Sequence, residues 1–188
     1  MKRREFVRNC SMGAVVGGLS AASLTAARAA DEGKRKRVDP DKLAKSAQEH
    51  FVAGKRTCGE SVLMAGCEAL GVRSDLVPDI ALGLAGGVGM QGETCGVLTG
   101  SALVLSLAVA QKEKEYPKKM MRTMQCVGRV HRAFKKQCGC TDCRSLIGGL
   151  DLTTPEGKEK LKAGVRAQKC AKYVEIAARI LGEELKTL

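Results

Sequence analysis

Tryptophan is absent from this 188-residue chain, and its aromatic residues are limited to three Phe and two Tyr. Sandwich and barrel cores lean on aromatic and β-branched side chains, so this shortage points away from them. Ala, Leu, Val, Gly and Met carry the apolar content instead, which suits close-packed helices. No segment keeps the strict apolar–polar alternation of a half-buried strand. Also missing are a Ser/His/Asp set, a His-Glu-x-x-His pair, a phosphate-binding loop and a dinucleotide fingerprint. Hydrolase, metalloprotease and nucleotide-enzyme chemistry therefore find no support. Long apolar runs are lacking too. The mild run from Met12 to Ala27 is rich in Ala, Gly and Ser, too short and too weakly apolar to span the roughly 30 Å of a bilayer core.

What is present begins with nine cysteines and a formal net charge of +12. Lys2-Arg3-Arg4-Glu5-Phe6-Val7-Arg8 forms a basic segment with a twin-arginine pair, the mild apolar run follows, and Ala27-Arg28-Ala29 offers small residues at both positions that a signal peptidase reads. Residues 1–29 are thus expected to be a twin-arginine signal peptide, residues 30–38 a flexible basic linker, and residues 39–188 one cysteine-rich helical domain. The expected location is the periplasm, with membrane attachment only if the signal is not cleaved. That export route carries folded proteins, often with a cofactor already inserted. Cleavage would also remove Cys10 and leave an even number of cysteines, which in an oxidising compartment permits disulfides. The positive charge suits an acidic redox partner protein, but much of it is Lys34-Arg35-Lys36-Arg37 in the linker. No nucleic-acid module accompanies it, so nucleic acid is not expected as a partner.

The fold expectation is all-α, a compact bundle of about five to seven helices. Asp39-Pro40 starts the first, with Leu43, Ala47 and Phe51 inward. Thr57-Cys58-Gly59-Glu60 is a capping box opening the second, which ends at Gly71. Leu76–Leu84 reads as a shorter helix, and a glycine-dense loop, Gly86–Glu93, precedes the next one. That helix is expected to be capped by Thr94, to start at Cys95, and to be buried on most sides through Leu103–Ala110. Pro117 opens a long amphipathic helix with Met120, Met124, Val127, Val130, His131 and Phe134 on one face. A short helix begins at Thr154-Pro155, and the last covers Gln168 to about Lys186.

Three cysteines stand directly behind helix-capping residues, in Thr57-Cys58, Thr94-Cys95 and Asp142-Cys143. A thiol in the first helical turn meets unpaired amides and the positive end of the helix dipole, and both favour thiolate, the form that binds metals or attacks disulfides. Gly59 and Gly96 leave room for a sulfur or cluster to approach the main chain, and the 86–93 loop is expected to add further N–H donors. Cys138-Gly139-Cys140-Thr141-Asp142-Cys143 is a Cys-x-Cys-x-x-Cys cluster. Cys140 and Cys143 form a possible dithiol pair, although no strand precedes them as in thioredoxin-type motifs, and Cys138 and Cys140 are open to roles as spare ligands, a disulfide or a sulfur relay. Cys67 and Cys126 read as packing residues, His131 as a boundary histidine and His50 as a surface one.

Cys58, the run Gly92-Glu93-Thr94-Cys95-Gly96-Val97-Leu98-Thr99-Gly100, then Cys143-Arg144-Ser145-Leu146-Ile147-Gly148, and finally Cys170 resemble the redox-active family C_GCAxxG_C_C from about residue 43 to 182. The family more often has Ala where this chain has Val97. The resemblance implies that Cys58, Cys95, Cys143 and Cys170 are the four signature cysteines and that they bind an iron–sulfur cluster or related metal centre for electron transfer. Four thiolates suit such a cluster. They suit zinc less, because this chain has one tight Cys-x-x-Cys pair where structural zinc sites usually show two. A similar domain accompanies haem in split-Soret cytochromes, but no Cys-x-x-Cys-His occurs here. The alternatives are thiol–disulfide exchange through Cys140/Cys143, or a non-catalytic module held by disulfides or zinc. A homodimer is compatible with each.

Overall fold

Entry into the first helix is set by Asp39, whose carboxylate accepts hydrogen bonds from the amides of Asp41 (3.0 Å) and Lys42 (3.2 Å). Pro40 follows at the first helical position, where its missing N–H costs nothing. The computed structural model describes residues 38–188, so the expected signal peptide and nearly all of the expected linker lie outside the described residues. Among the described residues seven α-helices run in order: α1 (Pro40–Val52), α2 (Cys58–Leu70), α3 (Gly96–Lys112), α4 (Tyr116–Cys138), α5 (Cys143–Leu146), α6 (Pro155–Lys160) and α7 (Ala171–Lys186). Among the described residues no strand forms beyond one isolated bridge, Thr94 with Asp142. The expected all-α architecture is the observed one.

The core follows the helical period. Leu43, Ala44, Ala47 and Phe51 bury one stripe of α1, mainly against α7, where Val174, Ala177, Ala178 and Leu181 face inward. α2 and α3 pack closely because their contacts use small residues: a Cβ on Gly66 would fall 2.3 Å from a Val104 methyl, and one on Gly100 only 2.5 Å from the Gly59 carbonyl oxygen. α4 docks through Cys126, Val130 and Phe134. Its Arg129 clamps the buried Glu184 of α7, with N···O distances of 3.1, 3.1 and 2.6 Å, which satisfies a carboxylate that burial would otherwise penalise heavily.

Four local expectations need correction. Leu76–Leu84 is not an α-helix but a 3₁₀ helix over Asp79–Leu84; Leu76, Ile80 and Leu82 are exposed and only Ala81 is buried, so tertiary packing gives the segment little reason to lengthen. The last two helices are not separate: wide turns over Leu161–Cys170 join α6 to α7, broken at Gly164, and α7 proper begins at Ala171. Along α4, Met120 and Met124 are exposed rather than inward. α3 is likewise not covered all round, since Leu103, Ser106, Leu107 and Ala110 open with Met120 and Met124 onto an apolar groove of about 520 Å³.

Candidate redox centre built from four cysteines

The first thiol is prepared by a complete capping box. Thr57 Oγ1 accepts from the Glu60 amide (3.3 Å), while the Glu60 carboxylate accepts from the Thr57 amide (2.9 Å), so Cys58 is the first residue of α2. The second thiol departs from expectation. Thr94 does not cap; Cys95 itself occupies the N-cap position of α3, without a side-chain hydrogen bond, and the helix starts at Gly96. The reason is tertiary: the backbone here is drawn into pairing with the segment before α5. The Cys95 amide donates to Thr141 O (2.9 Å), the Cys143 amide to Glu93 O (2.7 Å) and the Arg144 amide to Gly92 O (3.0 Å). Those bonds set Cys95 and Cys143 side by side.

The third thiol, Cys143, opens the short α5 behind Asp142, whose carboxylate accepts from the Ser145 amide at 2.7 Å. That contact with Ser145 holds the Asp142 carboxyl below its ordinary range. The fourth, Cys170, ends the wide-turn segment just before α7. Arg166 anchors this segment: its guanidinium donates to Phe51 O (2.7 Å) and Arg56 O (2.8 Å) and lies 3.8 Å from the centre of the Phe51 ring. It thereby ties the approach to Cys170 to the turn that leads into Cys58.

The structure brings these four sulfurs together. Cys95 is near enough to Cys58 and Cys143 that each thiol perturbs its titration. Its own pKa is pushed well above the ordinary 9.0, first by Cys143, then by Cys58 and by burial. Cys58 and Cys143 are both lowered, chiefly because the Cys95 thiol stabilises their thiolates. Backbone amides of Gly59, Cys58 and Gly96 lower Cys58 further. Cys170, half-buried, is pushed up to about 12, first by desolvation and then by the nearby charges of Cys58 and Cys143. The three groups titrate as a coupled set, with Cys95 shifted toward the thiol and its neighbours toward thiolate.

Glycines make the approach possible. A Cβ on Gly96 would stand 2.6 Å from Cys58 Sγ, and one on Gly87 would stand 2.8 Å from the Cys143 Cβ. Room beside Gly96 is thus used by a partner sulfur. The 86–93 loop plays another part than expected. The amides of residues 88–93 all donate to backbone carbonyls of residues 83–88, at 2.9–3.3 Å, so they are not free to face a sulfur. Stacking successive left-handed residues folds the loop onto itself; even Val88 (φ 56) and Met90 (φ 67) adopt that region.

Cys95 is the largest influence on the Cys143 pKa, while that of Cys140 is raised by burial and by Asp142. Cys67 and Cys126 are 3% and 0% exposed in mid-helix positions, as packing residues should be. His131 lines a cavity of about 160 Å³ with Thr94 and Thr99, while His50 pairs with Glu68 at 2.8 Å. Tyr173 escaped the sequence reading. Burial raises its pKa, and Cys138, Cys140, Cys170 and Cys95 all add to the rise. Its only sequence signal was its place three residues after Cys170, on the same helical face. All eight cysteines of the described residues are free thiols. Among the described residues, no three His, Cys, Asp or Glu side chains stand as a ready-made site for a single metal ion. No helix among them is long and apolar enough to cross a membrane.

A similar chain, named "Uncharacterized protein", occurs in Archaeoglobus fulgidus; it is 29% identical over 139 residues, covering 70% of this chain and 85% of that one. No solved structure matches. Residues 56–184, which hold all four clustered cysteines, match the family described as "Putative redox-active protein (C_GCAxxG_C_C)", and the chain belongs to that family.

Proposed function

We propose that this protein is an electron carrier of the periplasm, exported on the twin-arginine route, in which Cys58, Cys95, Cys143 and Cys170 hold an iron–sulfur cluster and serve a partner redox protein. One observation carries the reading: backbone pairing sets the Cys95 and Cys143 segments side by side, Cys58 Sγ packs against Gly96, and Cys170 is close enough to feel Cys58 and Cys143. Four cysteine sulfurs are the usual donor set for a cluster. The amides of Gly59, Cys58 and Gly96 aimed at Cys58 suit a negatively charged centre. When bound, the cluster would supply one-electron chemistry. The chain's own residues do the rest: Cys58 and Cys143 are already inclined to lose their protons, Gly96 and Gly87 let sulfur approach the backbone, and Arg166 holds the Cys170 segment in place.

Direct thiol contact also favours a second reading, in which Cys95 closes a disulfide with Cys58 or Cys143 and the centre handles electron pairs. Both readings meet in one experiment. The full chain, isolated without oxygen, is expected to contain iron and acid-labile sulfide in equal amounts and to absorb in the visible range. Serine at Cys58, Cys95, Cys143 or Cys170 is expected to lower that iron, whereas Cys67→Ser is not. A colourless protein that cannot be reconstituted, yet forms a reversible disulfide at Cys95, would replace the first reading with the second.

A further inference from the structure

A second pair of sulfurs stands beside the four-thiol centre. Cys138 is the last residue of α4, and Gly139 closes the helix with its amide on Lys135 O at 2.9 Å and a left-handed backbone (φ 85, ψ −35). Two peptide units at about 3.8 Å each, bent at that glycine, keep the flanking Cα atoms near or within the roughly 4.4–6.8 Å that a disulfide spans. Cys138 and Cys140 are both half-buried, and the glycine between them is exposed. That separates them from Cys67 and Cys126, which are buried. Burial raises both thiols; Cys138 is raised further by Cys140 and lowered by Lys172 of α7, whereas Cys140 is raised further by Asp142. Tyr173 stands between the groups, its ring packed edge-on against Phe134 with centroids 6.1 Å apart, and it feels Cys138 and Cys140 along with Cys170 and Cys95.

We infer that Cys138 and Cys140 form a second redox centre, a dithiol that exchanges with disulfides presented by a partner at the surface. Cys138, the member facing a lysine, attacks one sulfur of the incoming disulfide; the old S–S bond breaks and one half leaves as a thiolate. Cys140 then attacks the Cys138 sulfur and releases the other half. The incoming disulfide is reduced to two thiols, the pair is oxidised by two electrons to an intramolecular disulfide, and the two cysteine protons pass to the released thiolates. This centre needs no metal, so it stands whether or not the four-thiol site holds a cluster.

The test uses the full reduced chain with glutathione disulfide as the probe, followed by alkylation of the remaining thiols and trypsin digestion. Lys136 and Arg144 bound a fragment, residues 137–144, that holds Cys138, Cys140 and Cys143. The expected fragment has lost two hydrogens, carries one alkyl group on Cys143, and recovers both hydrogens with dithiothreitol. The same loss is expected in Cys143→Ser. In Cys140→Ser the reaction should stop at a glutathione adduct on Cys138. A bridge from Cys140 to Cys143, or a fragment alkylated at all three thiols after exposure to the probe, would overturn the inference. Loss of iron in Cys138→Ser would overturn it as well, by making that thiol a ligand.

Discussion

Cys58 is the first residue of α2 and Cys67 lies in the interior of the same helix, and they behave as different groups. Cys58 is lowered, first by the Cys95 thiol and then by helix amides. Cys67 is raised, by burial and then by Glu68. Cys126, in the middle of α4, is raised likewise by burial and by Glu184. A helix's first turn presents donors and its interior presents none, because interior amides already bond the carbonyl four residues back. The same side chain is thus a reactive thiol in one place and a small apolar core residue in the other.

The sharpest way to break this contrast is to deny the helix ends their close approach. Gly100→Ala would drive a methyl onto the Gly59 carbonyl at 2.5 Å, with backbone on both sides, and should cost about 2–3 kcal/mol as an overpacking strain. Gly83→Ala, which meets nothing within 4 Å, should stay within about 0.5 kcal/mol. Urea unfolding of both variants measures the difference. If they matched, the glycine crossing would not be what gathers the sulfurs.

Next in size is the effect of the central proton. In the metal-free protein, Cys95→Ala removes the largest cause of lowering from both Cys58 and Cys143. Their rates of alkylation near neutral pH should fall, because less of each thiol is then thiolate. Cys67→Ala should leave those rates unchanged. An equal fall in both variants would mean that the lowering comes from helix position alone.

The smallest effect is the pH dependence of stability in the metal-free chain. Cys58 and Cys143, lowered in the folded state, contribute stability that is present above the unfolded value of 9.0 and lost as pH falls through their folded values. Cys95 and Cys170 are raised, so their contribution is full below 9.0 and lost as pH rises toward their folded values, about 12 for Cys170. Stability should therefore peak near pH 9, each group contributing a slope of no more than about 1.4 kcal/mol per pH unit. Cys170→Ala should flatten the alkaline side and leave the neutral side as it was, by denaturant titration at several pH values.

Much of this was legible beforehand wherever cause and effect lie within one turn of chain. The Thr57–Glu60 capping box, the Asp39 and Asp142 caps and the inward stripe of α1 are short-range matters of spacing, and each appears as its residues predict. Gly59 and Gly96 advertised close approach without naming what would approach. The misreadings are of another kind. Thr94 has the chemistry of a cap, yet pairing across to Asp142 takes its backbone elsewhere. The amides of the 86–93 loop looked available until the loop folded back and consumed them. Met120 and Met124 had a core-facing period but found no helix to cover them.

Residue type and local spacing alone thus decided that the chain would be helical, where most helices begin, and which thiols would meet free amides. Only packing decided that Cys58, Cys95, Cys143 and Cys170 share one neighbourhood, that the Cys95 and Cys143 segments pair, and that Tyr173 packs on Phe134 within reach of the sulfurs. Helix caps are satisfied by atoms a few residues away, whereas a thiol's pKa is set by whatever lies within a few ångströms. For these cysteines, that is chain from distant parts of the sequence.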